Sequence, residues 1–335
     1  MPMTHSTLSS YSDDEILSMR IKDLPLDSRP LFDGQLSKLR SELKRRGIEW
    51  MPHVWPSEEW FSPDGVGGFA FPFTLLDSKL IKLEKKHVGL SEGSNEKEFL
   101  KLIRHECAHA LDNAFHLRKI KSRQRVFGLS STPYPSYYIP KQNSREYVKH
   151  LPQGYAQAHP EEDWAETFAV WLTPKNQWKK KYANWPALEK LMLVDNVMDN
   201  LRGLSPKINR KDTPLHFKDD ERTVREYFSW RKKSLGLRQR NFYENKVNEL
   251  FSIQGRKHAN EVFKRYESII CSKLVKRSGI DRNVAKLMIK ELKQECKSKN
   301  YHLKYSSIKT KRAVEDVLAA HSADFLKKKR HRVFM

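Results

Sequence analysis

The stretch Arg104–Phe115, "RHECAHALDNAF", carries two histidines four residues apart, with a glutamate directly after the first. Residues i and i+4 of a helix lie on one face, so His105 and His109 can direct imidazole nitrogens toward one metal ion. Glu106 lies about 100° round the helix from His105, where its carboxylate can reach a water on that ion. Because an ordinary buried helix can also contain two histidines, a metal site requires a third ligand elsewhere in the chain.

The residues before the motif predict that it lies on a helix. Asn95 can cap a helix N-terminus, and Glu98 follows three residues later. Apolar residues then recur at helical spacing at Phe99, Leu102, Ile103 and Cys107.

Two nearby residues are alternative metal ligands. In one class of zinc hydrolases a third histidine follows the second by six residues, with a glycine between them; here those positions hold Phe115 and Asp112. That class is excluded. His116 is one residue away from the required spacing, and Asp112, three residues after His109, is better placed to orient an imidazole than to bind metal. Both remain minor candidates.

A second predicted helix lies in "HPEEDWAETFAVWLTP", residues 159–174, where Pro160 suits the first helical position. Glu162 and Glu166 share one face of this helix with Ala165 and Ala169, whose small side chains permit close approach of another helix. We therefore predict that Glu162 is the third metal ligand, and that Glu166 contacts a ligand side chain without binding the metal itself.

The alternative for these acids is a solvated first turn that stabilises the helix dipole. We prefer that interpretation for Glu161 and Asp163, which lie off the Glu162 face. It also remains open, although less favoured, for Glu162 and Glu166.

Charge divides the chain unevenly. The net charge is +22, of which residues 205–335 supply +19, from 34 Lys and Arg against 15 Asp and Glu. A basic block of this kind commonly contacts nucleic acid, a membrane surface or an acidic protein, and a merely solvated basic surface is the alternative. No zinc finger, RNP motif or convincing helix-turn-helix signature accompanies the charge.

The length of 335 residues and the hydrophobic content of 38% suit two ordinary domains. Aromatic and β-branched residues between Ile48 and Leu83 predict strands, so we expect an α+β fold. The predicted parts are N-terminal helices over 1–47, a domain over 48–204 with a small mixed sheet and the two motif helices, and a mostly α-helical basic region over 205–335.

The sequence shows no secretory leader and no run of eighteen apolar residues, so we expect a cytoplasmic protein without a transmembrane segment. The three cysteines fit neither a disulfide framework nor a zinc knuckle by their spacing, and we expect them to be reduced; they are Cys107, Cys271 and Cys296.

The paired motifs "HECAHALD" and, about fifty residues later, "EDWAE" resemble the zincin metallopeptidases that use a glutamate ligand, the gluzincin-like kind. They are similar to the anthrax lethal factor catalytic domain, which shares H-E-x-x-H-A-x-D and an E-x-x-A-E helix. They resemble more closely a family of bacterial zinc-binding metallopeptidases that have the sequence motifs "RHE-x-x-HALDNA" and "HP-x-EDxAETFAVWL". The resemblance covers about residues 50 to 200.

This resemblance implies a zinc-dependent metallopeptidase with one Zn²⁺ per chain, held by His105, His109 and Glu162, and a peptide or protein as substrate. Glu106 would act as the general base. Tyr155, seven residues before Glu162, occupies the position where lethal-factor-like enzymes place a tyrosine beside the metal, and its phenol could donate to an oxyanion. Packing is the alternative for Tyr155, and its rivals in the same loop are Tyr137, Tyr138 and Tyr147.

Two other functions remain open. In the first, the chain is a nucleic-acid-associated protein whose basic C-terminal helices bind DNA or RNA, while the zincin part acts on bound proteins or serves as a scaffold. In the second, the zincin part is an inactive binding module, which the presence of Glu106 beside every proposed ligand disfavours.

Overall fold

The structure is a computed structural model that describes residues 7–135, 138, 140–141, 143–175, 177–234, 247–280 and 282–328. Tyr137 and the end of the chain, 329–335, lie outside these residues. The chain divides into two compact units, the first running to Ser229 and the second beginning at Trp230.

The first unit is largely helical. Its helices are α1 (Asp13–Ser18), α2 (Asp33–Arg45), α3 (Ser78–His87), α4 (Glu96–Phe115), α5 (Lys121–Phe127), α6 (Pro160–Leu172), α7 (Trp178–Lys181), α8 (Ala187–Asp199) and α9 (Val224–Ser234), the last of which continues past Ser229. Short 3₁₀ turns cover Ile21–Asp23, Phe73–Leu76, Leu117–Lys119, Pro152–Gln157 and Phe217–Asp219.

Strands β1 (His53–Ser57) and β2 (Gly68–Pro72) form the small sheet that was predicted between Ile48 and Leu83. They pair in parallel, from His53 opposite Gly68 to Ser57 opposite Pro72, and Ala70 forms an antiparallel bridge to Phe61 on its other side. Gly68 is required at this pairing, because a Cβ there would lie 2.4 Å from the carbonyl oxygen of His53. The predicted strand region also contains α3, so the sheet is smaller than the aromatic stretch indicates.

Helix α4 is the centre of the first unit. Asn95 caps it by accepting a hydrogen bond from the Glu98 N–H at 3.0 Å, which confirms the predicted start. Every residue from Arg104 to Phe115 is buried, because the helix packs against α2, α6 and β2. A buried bidentate ion pair joins Arg104 to Glu42 of α2, with N–O distances of 2.6 and 2.8 Å. The motif is therefore held on a rigid and well-packed element.

Helix α6 begins at Pro160, as the sequence predicts, and His159 caps it. Ala165 and Ala169 are fully buried where α6 packs against α4. Because neither side chain extends beyond Cβ, the backbones of the two helices can approach closely, and the facing polar residues come within contact.

Residues after 204 also contribute to the first unit. The Ile21 N–H donates to the Arg222 carbonyl at 2.9 Å, and the Val224 N–H donates to the Met19 carbonyl at 3.0 Å. The division into 1–47, 48–204 and 205–335 stays a prediction. Positive charge begins to dominate at about residue 205, whereas the first compact unit continues to Ser229.

The second unit is built on three longer helices, α10 (Asn260–Ser278), α11 (Arg282–Ser298) and α12 (Ser307–Lys328). Helix α10 packs against both α11 and α12. Two-residue strands, β3 (Phe251–Ser252) and β4 (His302–Leu303), pair antiparallel beside them. Gly279, with a φ of +72°, ends α10 in the left-handed conformation that glycine adopts without strain.

None of the helices in the described ranges is both long and apolar enough to cross a membrane. The three cysteines, Cys107, Cys271 and Cys296, are all described, and each is buried and free of a disulfide.

Candidate metal centre

Three predicted ligand atoms converge between α4 and α6. The Nε2 atom of His105 lies 3.0 Å from Oε2 of Glu162, and the Nε2 atom of His109 lies 3.5 Å from the same oxygen. The two Nε2 atoms are 3.2 Å apart. Among the described residues, these three form the only group of His, Cys, Asp or Glu side chains that could hold a metal ion.

The spacing of these atoms fits a tetrahedral zinc ion. Zinc binds imidazole nitrogen and carboxylate oxygen at about 2.0–2.2 Å, so two ligands of a tetrahedron lie about 3.3 Å apart. The three observed separations, from 3.0 to 3.5 Å, bracket that value. Within the described part of the chain, Oε2 of Glu162 is buried without a hydrogen-bond donor, and a cation at this point would neutralise it.

Glu166 fixes the orientation of His105. Its Oε1 atom lies 3.0 Å from Nδ1 of His105, and its Oε2 accepts a hydrogen bond from the Leu151 N–H at 2.8 Å. A carboxylate accepts hydrogen bonds, so Nδ1 carries a proton, and Nε2 is the nitrogen that remains to bind a metal. The contact places Glu166 beside His105, and its role in supporting a metal ligand stays a prediction.

The electrostatics of the three ligands are coupled. Burial by itself lowers the pKa of His105, but the carboxylates of Glu162 and Glu166, each 3.0 Å from the imidazole, outweigh burial and hold that pKa well above its usual value. The pKa of His109 is also raised, since Glu162 outweighs burial there. Burial opposes ionisation of Glu162, yet the two histidines hold its pKa well below the usual range. Without a metal, the two histidines therefore retain their protons to higher pH than free imidazoles do.

Glu106 lies beside this cluster and takes no part in it. The side chain is 7% exposed. Burial raises the pKa of Glu106, although the neighbouring histidines oppose the shift. Such a carboxylate is a better proton acceptor near neutral pH than an ordinary surface glutamate.

Of the tyrosines considered from sequence, Tyr155 is adjacent to the ligands. Its ring centroid lies 5.5 Å from that of His105 and 6.5 Å from that of the buried Tyr138. Burial and the charge of Glu162 raise the pKa of Tyr155 well above its usual value, so the phenol keeps its proton. Tyr147 instead lies under the ammonium group of Lys190, which is 4.2 Å from its ring centroid.

Tyr134 is a site residue that sequence reasoning missed. Its hydroxyl lies 3.0 Å from Oε1 of Glu162 and 3.0 Å from Oε2 of Glu161. One phenolic proton can serve only one of these oxygens at a time. Glu161 already has the guanidinium of Arg118 at 2.9 Å, so Glu162 is the carboxylate that the phenolic proton stabilises more. Tyr134 thus contacts the ligand carboxylate on the side away from the histidines.

His159 holds Tyr134 in place and was also missed. The ring of Tyr134 stacks on it, with centroids 3.6 Å apart and an angle of 19° between planes. Nδ1 of His159 accepts from the Glu161 N–H at 3.2 Å, so Nε2 carries the proton and donates to the Thr132 carbonyl at 2.8 Å. The loop is thereby fastened to the first turn of α6. The "HP" before the acidic run was the only local signal.

Asp112 differs from the prediction. Its carboxylate accepts from Arg123 at 2.6 Å and from Arg118 at 3.3 Å, and the described contacts do not connect it with His109. Asp112 therefore anchors the arginines beside the end of α4 and does not orient an imidazole. His116 lies past the helix in the left-handed conformation, φ 55°, and is outside the metal-binding group.

The interpretation of Glu161 and Asp163 as a solvated first turn is wrong. They are 8% and 3% exposed, since α5, α8 and the preceding loop cover this turn. Glu161 pairs with Arg118, and Asp163 accepts from the Lys190 ammonium at 2.6 Å. Burial raises the pKa of Asp163 to about 7 against the opposing charge of Lys190. Both acids are buried ion-pair partners.

The sequence of this region matches a known family. No curated protein and no solved structure matches the chain significantly. Residues 78–197, which include both motif helices, match the profile of the family described as "Putative zinc-binding metallo-peptidase", and His105, His109 and Glu162 all fall inside the match.

Proposed function

We propose that the chain is a zinc-dependent metallopeptidase that hydrolyses peptide bonds in a peptide or protein substrate. The observation that carries the proposal is the convergence of two imidazole nitrogens and one carboxylate oxygen, 3.0 to 3.5 Å apart, inside the segment that resembles zinc-binding metallopeptidases. Two histidines and one glutamate are a ligand set typical of catalytic zinc, which keeps a fourth position open for water or substrate.

A zinc ion held by His105, His109 and Glu162 would supply acidified water and a Lewis acid for a substrate carbonyl. Glu106 would accept a proton from the attacking water and later pass it to the leaving amine, since its raised pKa suits transfer in both directions. Glu106 could in this way assist attack by water at neutral pH without being a strong base.

Tyr155 would stabilise the oxyanion that forms when the carbonyl is attacked. It lies next to His105 and retains its phenolic proton, so it can donate a hydrogen bond at the moment when negative charge develops. Glu166 would keep Nε2 of His105 directed at the metal, and the proton that Glu166 holds on Nδ1 would make the imidazole a better ligand.

An inactive binding module is a weaker account of the same residues. A module without chemistry has no need of Glu106, a carboxylate of raised pKa beside the histidines of the cluster.

A peptide-library cleavage assay tests the proposal. We expect the purified full chain to cleave peptides, to lose this activity on treatment with a chelator, and to regain it on addition of zinc in an amount equal to that of the protein. Absence of cleavage across a broad library by the zinc-loaded chain, or cleavage that persists in the metal-free chain, would contradict it.

A further inference from the structure

Helix α11 of the second unit carries a row of positive charge along one side. Its cations recur at intervals of four, four, three and four residues, and we call them the basic stripe: Arg282, Lys286, Lys290, Lys293 and Lys297. At 100° per residue these five positions fall within about 80° of one another, and at 1.5 Å per residue they span about 22 Å. The charge forms a line and not a scattered surface.

A neighbouring side of α11, centred about 110° round the helix from the stripe, is buried in the core of the second unit through Ala285, Met288, Ile289, Leu292 and Cys296. A basic amphipathic helix is often a membrane-surface or calmodulin-type segment, which binds through its apolar face. That face is already covered here, so α11 cannot bind a partner through it, whereas its charged side is exposed.

The charge of the stripe is largely available. Arg282, Lys286, Lys290 and Lys297 are exposed, and none of them has an acidic partner within the described part of the chain. Lys293 is the exception, since it donates to Glu267 of α10 at 2.7 Å.

The acids of α11 lie elsewhere on the helix. Glu291 is about 100° round the helix from the nearest stripe residue, and Glu295 is farther still. Glu295 is also paired with Lys299 at 2.9 Å. Acidic side chains of the same helix therefore do not neutralise the stripe.

We propose that the basic stripe of α11 is a docking surface for the phosphate backbone of double-stranded DNA, without sequence specificity. A straight, rigid helix with exposed cations about 6 Å apart along its axis complements a regular array of phosphates. This inference concerns the second unit and is independent of the proposed peptidase chemistry.

Other nucleic acids fit the stripe less well. Proteins that hold single strands stack the bases on aromatic side chains, and α11 contains no aromatic residue. The major groove of B-DNA admits a helix of about 12 Å diameter, whereas that of A-form RNA is too narrow. Base-reading side chains are not needed, because phosphate contacts fix position without conveying sequence.

The test measures binding of the full chain to a fluorescent 20-base-pair random duplex over a salt series. Four phosphate contacts predict that the slope of log K against log salt is about −3.6 or steeper. In the stripe variant R282Q/K286Q/K290Q/K297Q we expect the slope to be smaller in magnitude by about 3 to 4, with binding at least tenfold weaker at low salt. Single K286Q and K290Q changes should each reduce the slope by about 0.9.

The control variant R256Q/K257Q/K309Q/R312Q removes the same charge from exposed positions of the second unit that lie off α11. We expect its slope to change by less than about 1, since those side chains make no phosphate contact. Thermal melting of both variants should match the wild type, because glutamine has nearly the helix propensity of lysine. If the stripe variant has a lower melting temperature than the wild type, the salt slopes of the single variants K286Q and K290Q test the proposal instead.

Three outcomes would overturn the proposal. The wild type fails to bind the duplex even at low salt, or the stripe and control variants lose affinity equally. In the third, an RNA duplex or polyglutamate binds more tightly than the DNA duplex and requires the same stripe, and the partner is then RNA or an acidic protein.

Discussion

Nδ1 of His105 lies 3.0 Å from Oε1 of Glu166, one helical turn beyond the predicted ligand Glu162. The contact joins α4 to α6 behind the cluster, and the Leu151 N–H holds the other oxygen of Glu166 at 2.8 Å. Glu166, which is not part of the metal-binding group, therefore fixes the position and the protonation of the His105 imidazole.

We expect Glu166→Ala to weaken zinc binding by about 10- to 100-fold, because His105 loses the acceptor that fixes its ring and tautomer. Glu166→Gln should be milder, since an amide oxygen can still accept from Nδ1. Competition with a chromophoric chelator measures both affinities. Glu189→Ala, at an exposed acid of α8, is the control. Equal affinity in wild type and Glu166→Ala would remove the orienting role.

Tyr134→Phe removes only the hydroxyl that contacts Oε1 of Glu162 and keeps the ring that stacks on His159. A hydrogen bond to a charged group contributes about 1.5 kcal/mol, so we expect zinc binding to weaken by about tenfold. Cobalt substitution gives a second measurement: the visible absorption should fall if Glu162, freed on one side, binds through both oxygens. Tyr147→Phe, in the same loop but packed on Lys190, should change neither quantity.

Glu106→Gln is expected to lower kcat by about 10²- to 10⁴-fold, because the amide cannot accept the proton of the attacking water. Zinc content and thermal stability should remain those of the wild type, since Glu106 is outside the ligand cluster. Steady-state kinetics and metal analysis of the same preparation separate the two effects. A variant that keeps activity within tenfold of wild type would show that another group is the base.

Zinc binding should release protons near neutral pH. Burial alone lowers the pKa of His105 and His109, but the nearby carboxylates raise both above the usual value, so the metal-free histidines retain protons as pH rises. Zinc requires the neutral rings, and its affinity therefore falls as pH is lowered. Calorimetry at pH 7 in two buffers of different ionisation enthalpy counts the released protons. Zinc affinity that stays constant from pH 5.5 to 8 would exclude this competition.

Much of the metal centre was predictable because its parts lie on two helices with strong local signals. Asn95 and Pro160 mark the helix starts, and a spacing of four residues places Glu162 and Glu166 on one face. The small residues Ala165 and Ala169 indicated which face approaches another helix. These inferences need only helical geometry, which the sequence encodes over a few residues.

The rest depends on tertiary contacts that local periodicity does not contain. Tyr134 reaches Glu162 across 28 residues of irregular loop, and its stacking partner is a helix cap. Asp112 and Glu161 share the guanidinium of Arg118, which lies beyond the end of α4. An acidic first turn has the same sequence pattern whether solvent or arginine surrounds it, so its burial was not predictable.

The most direct measurement is the zinc content of the wild type and of Glu162→Ala, each purified from a chelator-free preparation. We predict one zinc per chain for the wild type and loss of that zinc in the variant, because two histidines alone leave the tetrahedral site incomplete. Glu162→Gln, which keeps the shape but not the charge, should bind weakly. Full zinc retention by Glu162→Ala would contradict the proposed ligand set.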